Sequence, residues 1–106
     1  MTSNQATESV SARLTGYGID PTIVVAIIAA VIELLKSCKD RNELKSQIAT
    51  PGPLARLIVR GHVRRELVDE FGPGAWFRHN GPAVVEKVLE VAKQASDEEL
   101  EELAKL

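Results

Sequence analysis

Residues 22–32 read TIVVAIIAAVI, an uncharged run opened by Asp20-Pro21 and closed by Glu33 and Lys36. Asp20 can cap a helix with its side-chain oxygen, and Pro21 fits the first helical position, where a missing N–H and a fixed φ cost nothing. The β-branched residues Ile23, Val24, Val25, Ile27, Ile28, Val31 and Ile32 favour a strand locally. Length overrides them, because the apolar character runs on through Leu34 and Leu35 with no turn signal before Cys38. The pattern predicts a helix over residues 21–38. A membrane span needs roughly 20 apolar residues, and Glu33 and Lys36 close this run too early. A helix that is apolar on every side has no face to leave in water. Either the rest of the chain wraps it, or a second copy or a partner covers part of it, which makes Val24, Ile27, Ile28 and Val31 candidate interface residues.

Polar positions punctuate the remaining helices. Asp40 and Glu43 make a capping-box-like start for a short helix carrying Leu44 and Ile48, stopped by Thr50-Pro51-Gly52-Pro53. Pro53 opens the next helix, with Leu54, Leu57 and Ile58 before Gly61, and Val63, Leu67, Val68 and Phe71 after it. At about 100° per residue the two sets are centred roughly a quarter turn apart, which predicts a break or kink at Gly61. Gly72 and Pro73 end that helix. Asn80 is expected to cap a helix with Val84, Val85, Val88, Leu89, Ala92 and Ala95 on one stripe and Glu86, Lys87, Glu90 and Lys93 opposite. Ser96 and Glu99 form a capping box for a last helix carrying Leu100, Leu103 and Leu106, and its acidic start suits the helix dipole. The expected fold class is all-α, a small bundle of about five short helices around the central apolar helix. Residues 1–15 are polar and expected to be loosely ordered or helical only on contact, and residues 16–106 to form a single helical domain.

Composition adds little to this picture. Hydrophobic residues make up 44% of the 106, enough for a core, and the net charge of −2 recruits neither nucleic acid nor anionic lipid. The charge is uneven along the chain: residues 54–79 carry five arginines against three acids, and residues 80–106 three lysines against seven. The one cysteine, Cys38, excludes an internal disulfide and suits a reducing compartment, so a cytoplasmic location is expected.

Three clusters could carry chemistry. Residues 73–82, PGAWFRHNGP, gather Trp76, Phe77, Arg78 and His79, so that Trp76 and Phe77 are candidate protein anchors and the loop could also stack a base or ring. Against this, a loop between helices is commonly pinned by aromatics tucked beneath it. Arg56, Arg60 and Arg64 are four apart and would form a basic ridge on a straight helix, which with Arg65 and Arg78 could follow a phosphate backbone. Glu66, Asp69 and Glu70 stand close enough to neutralise part of it. Gly16-Tyr17-Gly18 reads as a turn into the apolar helix and lacks the pattern of a phosphate loop. No catalytic signature is present: His62 and His79 pair with no nucleophile, and neither HExxH nor CxxC spacing occurs. No cofactor and no metal are expected. The sequence points to a non-enzymatic interaction or assembly module that self-associates or docks to a protein partner through its apolar helix. A small nucleic-acid-binding adaptor is the alternative, and a short membrane-associated protein the third.

Overall fold

The structure, a computed structural model, describes residues 1–37 and 52–106. Among these the chain is all-α: α1 (Ser3–Gly16), α2 (Val24–Ser37) entered through a 3-10 turn at Pro21–Ile23, α3 (Pro53–Phe71), the single turn α4 (Ala75–Arg78), α5 (Gly81–Gln94) and α6 (Asp97–Ala104). The short helix predicted over residues 40–48, and Cys38, lie outside the described residues. No helix among them is long and apolar enough to cross a membrane.

The apolar helix is the centre of a small bundle. Asp20 caps its entry by accepting from the Thr22 N–H at 3.0 Å, with Pro21 at the first helical position. α3 packs along α2 on one side, and α1 and α6 also lie against it. Eight side chains of α2 are buried, and of its apolar residues Val25 alone is fully turned out, 81% exposed.

Two expectations fail here. Residues 1–15, expected to be loosely ordered or helical only on contact, are helical from Ser3 onward as α1, begun by a capping box in which Thr2 accepts from the Gln5 N–H at 3.1 Å while the Gln5 side chain accepts from Thr2 at 2.8 Å. Ala6, Val10 and Leu14 recur at every fourth position and point inward, giving a polar helix one dry line. Gly18, at φ +89°, then turns the chain: its N–H donates to Thr15 and that of Ile19 to Leu14, a Schellman ending that seats buried Ile19. The second is the break expected at Gly61, since α3 runs on through that residue. Val59, Val63 and Leu67, again four apart, keep one inward line, and the mismatched set Leu54, Leu57 and Ile58 is left outside.

The last helices follow their stripes. Val84, Val85, Val88, Leu89, Ala92 and Ala95 are all buried, as are Leu100 and Leu103, while Leu106 is exposed. Asn80 makes no side-chain cap to α5: it adopts the left-handed conformation, φ 51°, and passes the chain out of α4. The Trp76 indole lies over Gly81 so closely that a Cβ there would overlap ring carbons Cδ2, Cε3 and Cζ3.

Glu99 is the one buried charged residue among the described residues. It completes the Ser96 capping box, accepts from Ser9 Oγ at 2.7 Å and from Arg13 Nη2 at 3.0 Å, and so ties α6 to α1. Burial pushes its carboxyl up, but the Ser9 hydroxyl, the Ser96 N–H and Arg13 outweigh this and hold it below the usual range.

Gly81→Ala is expected to lower stability by about 1–3 kcal/mol through overpacking, with a smaller loss in a Trp76→Leu background, measured by urea denaturation. Glu99→Gln should cost about 2 kcal/mol at neutral pH. Because the folded carboxyl titrates below its unfolded value, that advantage is present above about pH 4.5 and fades as pH falls through the folded pKa. Parallel denaturation curves of the two proteins from neutral to acid pH check the convergence.

Candidate functional site

The chain consumes most of the residues that its sequence offered as an interface. Val24, Ile27, Ile28 and Val31 are buried within the molecule's own core, because α1, α3 and α6 wrap α2, and they present no surface to a partner. Trp76 is buried as well, between Gly81 and the Arg60 guanidinium, which stands 5.2 Å from the ring centroid. Phe77 is 80% exposed and is the one anchor residue of that set left free to make contact.

What lies on the surface instead is the outer face of α3. Leu54, Leu57 and Ile58 are 71%, 60% and 37% exposed, and Gly61 continues their face with nothing within 4 Å of where its Cβ would stand. Beside them a groove of about 370 Å³ runs between α3 and α5, floored by Leu57, Pro82 and Val85 and edged by Arg56, Arg60 and Glu86. The signal for this face was the phase change at Gly61. A continuous helix converts that change into an outward apolar row.

Continuity of α3 does place Arg56, Arg60 and Arg64 in one row, yet the protein itself engages most of the cations. Arg56 donates to Glu86 at 2.9 Å, Arg60 covers Trp76, Arg65 pairs with Glu33, and Arg78 donates to the Phe71 carbonyl at 2.9 Å. Such exposed pairs stabilise little, but those of Arg56 and Arg65 spend donors that a phosphate backbone would need. Among the described residues Arg64 has no partner of this kind.

Between α2 and α3 sits an acid–base cluster. Glu33 Oε2 lies 3.1 Å from His62 Nδ1, also receives Arg65, and shares a hydrogen bond with the Glu66 carboxyl. That bond, with burial and the Glu33 charge, raises Glu66 to about 7, while the same bond with Arg65 and His62 holds Glu33 low. The space beside His62 is closed by Val31, Val59 and Val88 and holds no room for a substrate. Among the described residues no set of three or more His, Cys, Asp or Glu is placed to hold a metal ion.

The Gly16–Gly18 turn and the Arg78–His79 loop, distant in sequence, meet at one cavity of about 310 Å³, which Lys87 of α5 also lines. Compared with known protein families, with curated proteins and with solved structures, the chain matches none.

Glu66 holds its proton better in the folded chain than in the unfolded one, so its contribution is complete below about pH 4.5 and is lost as pH rises through about 7. Wild type should lose denaturation midpoint across that window relative to Glu66→Gln, which keeps a donor to Glu33. Parallel midpoints at every pH would exclude the shared proton.

Proposed function

We propose that this chain is a non-enzymatic assembly module that pairs with a second copy of itself through the outer face of α3. The observation that carries this is the exposed row Leu54, Leu57 and Ile58, continued by Gly61, on one side of a continuous helix. Spacing of i, i+3, i+4 and i+7 is the pattern by which one helix meets another. In an antiparallel pair whose two-fold axis passes between positions 57 and 58, Leu57 meets Ile58 of the second copy. Leu54 then lies over the second copy's Gly61, where a missing side chain leaves room for it. Arg56 and Arg65 are drawn sideways to Glu86 and Glu33, which keeps those two charges off the seam.

Three aliphatic side chains fall well short of the roughly 800 Å² per partner of a standard stable interface. The pair is therefore a weak, concentration-dependent one. Nucleic-acid binding has less support, since four of its five arginines already have partners within the chain.

Light scattering during size exclusion is the test. The mass should rise from monomer towards dimer with loading concentration, Leu57→Glu should remain monomeric at every loading, and Val25→Glu, at the exposed site on α2, should behave as wild type. A strictly monomeric wild type would overturn the assembly function. The outer face of α3 would be the wrong surface if Leu57→Glu dimerised normally.

A further inference from the structure

The cavity between the α1–α2 turn and the start of α5 lies apart from the outer face of α3 and is built differently. We infer that it is a binding site for a small organic anion, with the anionic group between Lys87 and Arg78 and the uncharged part against Ile23 and Val84. All four residues line it, and its volume of about 310 Å³ falls at the lower end of small-ligand sites.

Geometry makes both cations available. The Lys87 ammonium stands over Gly18, 3.6 Å from where a Cβ would be, and the left-handed backbone there keeps a side chain from intervening. Lys87 is half-buried and has no carboxylate partner among the described residues. Arg78 is anchored through one donor, Nη2, on the Phe71 carbonyl, which fixes the guanidinium and leaves further N–H groups to meet an oxyanion. Asp20 is the opposing charge on the rim. It is turned onto the Thr22 N–H at 3.0 Å, so two permanent cations face one carboxylate that already has a donor. Ile23 and Val84, though nearly buried, give the cavity an apolar floor that suits a phosphate or carboxylate carried on an apolar body.

Titration of the full chain with phenyl phosphate, followed by amide nitrogen–proton NMR, tests the site, with phenol as the uncharged counterpart. Saturable shifts should centre on the amides of Gly18, Ile19, Arg78, Asn80 and Ala83. Affinity should fall several-fold in Lys87→Gln and rise several-fold in Asp20→Asn, which keeps an oxygen to cap Thr22. An unchanged amide spectrum away from the cavity verifies that each variant is folded. Absence of saturation up to about 10 mM, equal affinity in Lys87→Gln, or equal shifts with phenol would overturn the proposal.

Discussion

A helix with eight buried apolar side chains has to be enclosed before the rest of the chain can be stable, since each large apolar side chain left wet forgoes roughly 1.5–3 kcal/mol. α3 covers one side of it, and α1 and α6 are held together against another by a link that is polar rather than apolar. Glu99 closes the α6 capping box and binds Ser9 and Arg13 of α1, so a helix with only three buried residues keeps a fixed place in the wall. Without that wall, α2 would present the very residues that its sequence suggests as an interface. With it, they become the core.

That substitution explains what could and could not be read from the chain. The stripe of α5, the Asp20-Pro21 entry and the Ser96–Glu99 box are local patterns, and each reappears in the structure with its expected partners. α1 escapes the same reading because Ala6, Val10 and Leu14 make a line one residue wide, hidden in an average that is polar, although Thr2 and Gln5 stand three apart as a capping box requires. Which side of an all-apolar helix is covered depends on neighbours that periodicity does not name. Val24, Ile27, Ile28 and Val31 were therefore legible as apolar and not as interior.

α3 shows how two conflicting apolar phases are resolved. A break at Gly61 would strand backbone N–H and C=O groups on both sides of it, up to four of each. Leaving Leu54, Leu57 and Ile58 in water costs nothing relative to the unfolded chain, where they are equally wet. The continuous helix keeps its hydrogen bonds and one inward line, and the mismatch emerges as an apolar surface on its first half. Such a face persists without a structural need for it. This is why it, rather than α2, supports the assembly reading.

The densest chemical cluster in the sequence acts first as a spacer. Trp76 on the single turn α4 rests on Gly81, fits only because that residue has no side chain, and carries the Arg60 guanidinium over its ring. This one contact joins α3, α4 and α5. It also sets how the chain leaves α4 through left-handed Asn80, and hence where Arg78 and His79 meet the turn after α1. The indole is not among the residues that line the cavity, although Arg78 and Asn80, which do, follow it closely in the chain. An aromatic loop rich in binding-type residues is thus divided by burial, with its tryptophan holding the scaffold and its arginine facing the opening.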